Sequence, residues 1–114
     1  MDQIKPTQKI IKQVLQEYLQ QFQSLSKDSL VETLLSTDDQ HGVYMVLKNG
    51  WRGKDRIQNI LIFIRLVKDK VLVEEDWTDF DIVGQLLEAG IPQENIVLAF
   101  HHHDLRHLTE FAPA

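Results

Sequence analysis

The chain contains no cysteine, and among its 114 residues there are only five glycines and three prolines. The absence of cysteine excludes disulfides, thiolate metal sites and cysteine nucleophiles, and it fits a reducing compartment. No apolar run approaches the roughly 20 residues of a membrane-spanning helix. The N-terminal residues MDQIKPTQK lack the apolar core of a signal peptide. We therefore expect a soluble cytoplasmic protein with no membrane partner.

The sequence also lacks the short motifs of common enzyme chemistry. It has no glycine-rich phosphate loop, no nucleophile elbow and no His-Glu-x-x-His zinc motif. The acidic run Glu74, Glu75 and Asp76 is the nearest approach to paired catalytic carboxylates. Alternate residues of a strand point to opposite faces, however, so a charged strand end before a helix is the simpler interpretation. We predict no catalytic residue, and we predict that the protein is not an enzyme.

Near the N-terminus, apolar residues recur at three- and four-residue spacing, which is the pattern of an amphipathic helix. Pro6 suits the first turn, where its missing N–H costs little. The spacing predicts a helix over residues 6–23 whose apolar stripe covers a sheet. That stripe consists of Ile10, Ile11, Val14, Leu15, Tyr18, Leu19 and Phe22.

Four strand-like runs follow this helix, at residues 30–37, 43–48, 56–66 and 71–73. The short connections between them imply antiparallel neighbours. Gly42 suits the first connection because glycine readily adopts positive φ. The third run is almost continuously apolar, and we expect it to be a central strand buried on both faces.

A second helix is predicted after the acidic run. Thr78 is expected to cap its N-terminus, and Gly90 suits its left-handed C-terminal residue. Pro92 prevents continuation, and residues 96–100 read as a short buried strand. The order α-β-β-β-β-α-β indicates an α+β fold in which residues 1–114 form a single domain. The N-terminal amphipathic helix and the second helix would pack on a mainly antiparallel sheet of about five strands.

Charge is divided unevenly along the chain, although the net charge is −5. Residues 48–68 contain six basic residues and one acidic residue, whereas residues 74–88 contain six acidic residues and no basic one. Such a layout orients charged partners. Three interpretations stay open for the basic segment: a solvated surface, a protein-contact surface and a direct phosphate-binding surface. Its candidate contact residues are Trp51, Arg52, Lys54 and Arg56.

Histidines cluster near the C-terminus, at His101, His102, His103 and His107. Solvated or structural histidines, a protein contact and a metal site are the alternatives. His103 and His107 would share a face if this stretch were helical. A zinc enzyme would need a third ligand and an acid–base group in a defined pocket. We assign no metal ligand and no cofactor.

Two segments of the chain resemble the XisI-like family, the fdxN element excision controlling factors. They are GWRGKDRIQNILIFIRLVKDKVLVEEDWTDFDI and EAGIPQENIVLAFHHHDLRHLTEFAPA. The positions that carry the resemblance are Trp51, Gly53, Arg56, Asp76, Thr78, Asp79, Gly90, Ile91, Pro92, Ile96, Val97, Leu98, Phe100, His101, Arg106, Thr109, Phe111 and Ala112. A histidine that is usual in the third strand of the family is replaced near Phe63, so no role is carried over from it.

The resemblance implies a cyanobacterial accessory factor in programmed DNA excision. Such a factor would act through a nuclease-like XisH companion or a site-specific recombinase complex, and would reach DNA indirectly. The alternative is direct DNA binding by the Trp51–Arg56 loop, with a homodimer as a further option. The candidate contact residues are Trp51, Arg52, Lys54, Arg56, His101 and Arg106. Sequence alone does not determine the oligomeric state or the DNA site.

Overall fold

The helices and strands occur in the predicted order. The computed structural model describes residues 4–23, 30–100 and 111–112. The elements are α1 (Ile4–Gln23), β1 (Val31–Asp38), β2 (Val43–Arg52), β3 (Asp55–Val67), β4 (Lys70–Asp76), α2 (Ile82–Glu88), a 3-10 turn (Gln93–Asn95) and β5 (Ile96–Leu98). The α+β class is therefore confirmed. Neither helix combines the length and the apolar character that a bilayer crossing requires, within these described residues.

The five strands form one sheet in the order β1-β2-β3-β4-β5. The first three pairs are antiparallel, as the short connections predict, and β5 lies parallel to β4. Gly42 has φ of 65° in the first connection, and its carbonyl accepts a 2.8 Å hydrogen bond from the Leu66 amide. A side chain at Gly42 would meet the Leu66 backbone, so both the conformation and the space require glycine there.

The core lies between α1 and one face of the sheet, which we call the inner face; the opposite face is the outer face. Ile11 and Leu15 of α1 are completely buried, and so are Tyr44 and Val46 of β2. Each such aliphatic side chain contributes about 1.5–3 kcal/mol by leaving water. The ring of Phe80, just before α2, packs at 5.3 Å from that of Tyr18. The apolar stripe of α1 therefore covers the sheet, as the sequence predicts.

The prediction that the third strand is buried on both faces is wrong. Ile62 and Ile64 are completely buried, whereas Ile60 is 38% exposed. In the β2–β3 ladder Ile62 pairs with Val46 and Ile60 pairs with Leu47, which leaves Leu61 as a bulge. A bulge adds one residue to a strand and so changes which residues reach each face. The run is continuously apolar because it supplies the inner face, the bulge and the opposite face in succession.

The predicted helix cap is also wrong by three residues. Asp81, not Thr78, is the N-cap of α2, and its carboxylate accepts from the Gly84 amide at 3.2 Å. Thr78 instead donates from its amide and its hydroxyl to the Asp76 carboxylate, at 2.9 and 2.6 Å. These two bonds keep Thr78 in a turn, and the helix begins after it. The last strand is also shorter than the predicted residues 96–100.

Candidate functional site

The β2–β3 hairpin brings four of the predicted contact residues together. Trp51 pairs with Arg56 and Arg52 pairs with Asp55, which leaves Gly53 and Lys54 as a two-residue turn. Gly53 has φ of 64°, the positive value that tight hairpin turns require. The predicted Trp51–Arg56 loop is thus a tight hairpin, because strand pairing continues up to the two residues of the turn. We call residues 51–56 the hairpin tip.

Arg56 holds the hairpin tip in one arrangement. Its guanidinium carbon lies 5.3 Å from the centre of the Trp51 ring, within cation–π range. Its Nη1 donates to the Gly50 carbonyl at 2.8 Å, and its Nη2 donates to Asn49 Oδ1 at 2.9 Å. Trp51 is nevertheless 49% exposed. The tip thus presents an aromatic ring that is already ordered before any partner binds.

The hairpin tip is locally basic on an acidic chain. Arg52, Lys54 and Arg56 are exposed there, against the single carboxylate of Asp55. The Debye length at physiological salt is about 8 Å, so acidic residues farther away than that are largely screened from the tip. A partner that approaches the tip therefore meets positive charge, although the net charge of the chain is −5.

The acidic run forms a second charged region, at the end of β4. A hollow of about 430 Å³ lies there between Glu74, Glu75, Asp76 and Asp81, with Trp77 and Phe100 in its wall. Asp76 accepts the two bonds from Thr78, and Asp81 caps α2. The Trp77 indole donates to Glu75 Oε2 at 3.3 Å. These contacts support the simpler interpretation of the run as a strand end and helix cap.

Trp77 is a residue that the sequence analysis did not single out. It is 76% exposed, more than any other large apolar residue that the structure describes. Its amide donates to the Leu61 carbonyl at 2.8 Å, so its backbone is fixed to the bulge of β3. Tryptophan directly after three carboxylates was the available signal, because an aromatic residue in a charged turn has no obvious place in a core.

Asp39 was also missed, and it joins α1 to the β1–β2 turn. Its carboxylate accepts from the Lys12 ammonium at 2.7 Å and from the Tyr44 hydroxyl at 2.8 Å. Both bonds lower the pKa of Asp39, the one from Lys12 most. Burial, followed by the hydrogen bond to Asp39, raises the pKa of Tyr44. This cluster is a structural clamp on the inner face, far from the hairpin tip in the sheet register.

Two predicted contact residues, His101 and Arg106, lie outside the described residues, as does the histidine cluster. Among residues 4–23, 30–100 and 111–112, no group of three or more His, Asp or Glu side chains is arranged to hold a metal ion. The described part of the candidate site is therefore the hairpin tip. It offers cation–π and charge contacts.

A model of the XisI protein family matches residues 1–113 of the chain. The chain belongs to the XisI family. Two solved structures from Anabaena variabilis ATCC 29413 are similar to it. A XisI-like protein is 27% identical, with a TM-score of 0.88 over 97% of this chain and 99% of the other. The fdxN element excision controlling factor XisI is 38% identical, with a TM-score of 0.74 over 95% and 99%. The comparison with curated proteins gives no match.

Membership of the XisI family confirms the resemblance, and the hairpin explains part of its pattern physically. In this XisI-family chain the Trp-x-Gly-x-x-Arg pattern is one local unit. Gly53 makes the turn, and the turn places Arg56 directly across from Trp51. One of the two similar solved proteins is named as an fdxN element excision controlling factor.

Proposed function

We propose that this XisI-family protein is a non-catalytic cytoplasmic controlling factor, an accessory in site-specific DNA rearrangement. It acts by binding a XisH-like nuclease-type partner or the recombinase complex, and it reaches DNA through that partner. The observation that carries the proposal is the family match over residues 1–113, together with the 38% identical excision controlling factor. The partner itself is the new element of the proposal.

The hairpin tip is the contact surface that we assign to this partner. Trp51 is half exposed and already stacked under Arg56, so binding has little side-chain entropy left to remove. Tryptophan and arginine are also the residue types most enriched at binding hot spots. Lys54 and Arg52 lie at the rim, where cations accelerate encounter with an acidic partner. His101 and Arg106 stay predicted contacts.

The test is co-expression of the full chain with a tagged XisH-like protein, followed by measurement of the affinity. Trp51→Ala and Lys54→Glu should each weaken the complex at least tenfold. The matched control is Lys68→Glu, which reverses the same charge in the β3–β4 turn at the other end of β3. Failure of every XisH-like partner to co-purify with the wild-type chain would refute the proposed function.

Direct DNA binding by the hairpin tip is the second candidate, and the clustering of three exposed cations within five residues favours it. Three phosphate contacts predict a slope of about −2.7 in log affinity against log salt. Binding to duplex DNA should therefore weaken about fortyfold between 50 and 200 mM salt. Lys54→Glu should reduce binding more than Lys68→Glu does. Equal effects of the two variants would exclude the tip as the DNA contact.

A further inference from the structure

The two edges of the sheet, β1 and β5, differ in how they are covered. At β5 the Ala112 amide donates to the Ile96 carbonyl at 2.8 Å, so the chain itself lies along that edge. At β1, the strands that the structure describes pair with one side only, the side of β2. A strand in this position offers backbone donors and acceptors to a further strand.

Alternate residues of β1 direct their backbone groups away from β2. The Trp51 amide donates to the Leu30 carbonyl at 2.9 Å. In the antiparallel register this bond makes the even-numbered residues of β1 the ones that bond to β2. The amides and carbonyls of Val31, Leu35 and Thr37 therefore point outward from the edge of the sheet.

β1 has few of the features by which sheets prevent pairing between their edges. Natural edge strands are protected by lysine, proline, a bulge or short length. β1 has eight residues, VETLLSTD, without lysine, arginine, proline or glycine, and its register with β2 is unbroken. The pairs β2–β3 and β3–β4 each contain a register shift. The only charges of β1 are those of Glu32 and Asp38, near its two ends.

Two β1 strands fit each other in one register. Because the outward residues are odd-numbered, a two-fold antiparallel pair places odd residues opposite odd residues. With Leu34 at the axis, residues 31–37 of the two copies pair along their whole length. Glu32 of each copy then lies opposite Ser36 of the other, so no carboxylate lies opposite another.

The neighbouring registers are less favourable. With Leu35 at the axis, Glu32 of each copy would lie opposite Asp38 of the other, and like charges directly opposite destabilise a sheet. With Thr33 at the axis, only residues 31–35 of β1 would pair. Charge and length together therefore select the register with Leu34 at the axis.

The same register continues an apolar row on the outer face. Leu34 of β1 pairs with Leu47 of β2, and Leu47 pairs with Ile60 of β3. Leu47 follows the buried Val46, so strand alternation places the row on the outer face. The row ends at the sheet edge with Leu34, which is 40% exposed. A second copy brings its own Leu34 against this one, in the type of strand pair where side chains approach most closely.

We propose that β1 pairs with β1 of a second copy of this chain, antiparallel about a two-fold axis at Leu34. The two five-stranded sheets then form one continuous sheet. In such an isologous contact the same patch must complement itself, and β1 does so through Leu34 and through the separation of its carboxylates. The dimer leaves the hairpin tip outside the strand pair, and it does not depend on the proposed function.

The absence of cysteine allows a direct test by cross-linking. The two Cα atoms at the axis should be about 4.5 Å apart, within the span of a disulfide. Leu34→Cys should therefore give a covalent dimer when oxidised glutathione is added to the full chain. The control is Ile60→Cys, on the same face with 38% exposure. Its two copies would be five strand spacings apart, about 24 Å, so it should stay monomeric under denaturing conditions. Equal cross-linking of the two variants would overturn the edge pairing.

The second experiment measures the mass of the full chain by analytical ultracentrifugation from 1 to 200 µM. The wild type should be dimeric at the upper end. Leu34→Lys and Leu34→Glu should each raise the dissociation constant at least tenfold, because each places like charges together at the axis. An equimolar mixture of the two should form a heterodimer.

The matched controls are Ile60→Lys and Ile60→Glu, which carry the same changes two strands away from the edge. They should keep the wild-type dissociation constant, and circular dichroism checks that every variant is folded. A monomeric wild type at 200 µM would overturn the dimer. Absence of the heterodimer, or an equal effect of the Ile60 and Leu34 variants, would overturn the axis at Leu34.

Discussion

Both faces of the sheet carry isoleucine, but the isoleucine on one face is buried and the one on the other is exposed to solvent. Ile62 is completely buried on the inner face, and Ile60, two positions earlier on the same strand, is 38% exposed on the outer face. The bulge at Leu61 separates them. The inner face gains its stability from contact with α1, whereas the outer face keeps its apolar side chains available. Local sequence is nearly identical at the two sites, so the difference arises from the bulge and from the helix that covers one side.

The largest expected effect is at Ile62. Ile62→Ala should lower the free energy of unfolding by about 2–5 kcal/mol, because it removes packed methyl groups and leaves a cavity. Ile60→Ala should cost less than about 1 kcal/mol, since its side chain is already partly hydrated. Chemical denaturation of both variants measures the difference. Equal losses would mean that the two faces are equally covered.

The contrast between the faces continues into the acidic run, where the next largest effect is expected. Asp76 pairs with Ile62 and accepts two bonds from Thr78, whereas Glu75 pairs with Phe63. Asp76→Ala should cost about 1–3 kcal/mol because it leaves half-buried donors without an acceptor. Glu75→Gln should change stability by less than about 0.5 kcal/mol. Thermal denaturation of the two variants measures both losses of stability. A larger loss for Glu75→Gln than for Asp76→Ala would mean that Glu75, and not Asp76, holds this turn.

Arg56 is the exception on the outer face, since its contacts stabilise the fold as well. Arg56→Lys removes the forked hydrogen bonds to Gly50 and Asn49 and weakens the contact with Trp51. We expect a loss of about 0.5–1 kcal/mol and a shift in tryptophan fluorescence. Arg65→Lys is the control, because Arg65 lies on the same strand and its guanidinium is 3.9 Å from the Glu74 carboxylate, beyond hydrogen-bond distance. If both variants behave alike, the Trp51–Arg56 contact adds nothing to stability.

The sequence predicted those features of the fold that depend on local signals. The stripe of α1, the turn at Gly42 and the short connections of the antiparallel strands are each visible within a few residues, and each is confirmed. The errors concern features that depend on cross-strand contacts. The bulge at Leu61 is set by the register with β2, and the start of α2 is set by the carboxylate of Asp76.

In the candidate site, too, the sequence predicted what depends on local signals and missed what depends on contacts between strands. Residue types and charge identified Trp51, Arg52, Lys54 and Arg56, and the structure places all four at one hairpin tip. Periodicity did not identify the row of Leu34, Leu47 and Ile60 on the outer face, because its members come from three strands and meet only through register. Trp77 was missed for the same reason, since its backbone bond to Leu61 fixes its place beside β3.

The smallest effect is expected at the clamp that holds α1 on the inner face, and it depends on pH. The Lys12 ammonium and the Tyr44 hydroxyl hold the pKa of Asp39 below its ordinary value in the folded state. Stability from this clamp is therefore fully present above the unfolded pKa of about 3.9, and it is lost as the pH falls through the lower folded value. Asp39→Asn should remove that part of the acid dependence and lower stability slightly at neutral pH.

Unfolding measured from pH 2 to pH 7 for the wild type and Asp39→Asn tests the clamp. The two curves should converge at the acid end, because the wild-type carboxylate is then protonated as well. Glu75→Gln is the matched control on the outer face, and its difference from the wild type should stay small throughout. Curves for Asp39→Asn and the wild type that stay parallel down to pH 2 would mean that this ion pair does not hold α1 against the sheet. Convergence would assign part of the stability of the inner face to a charge at its edge, which apolar burial alone does not supply.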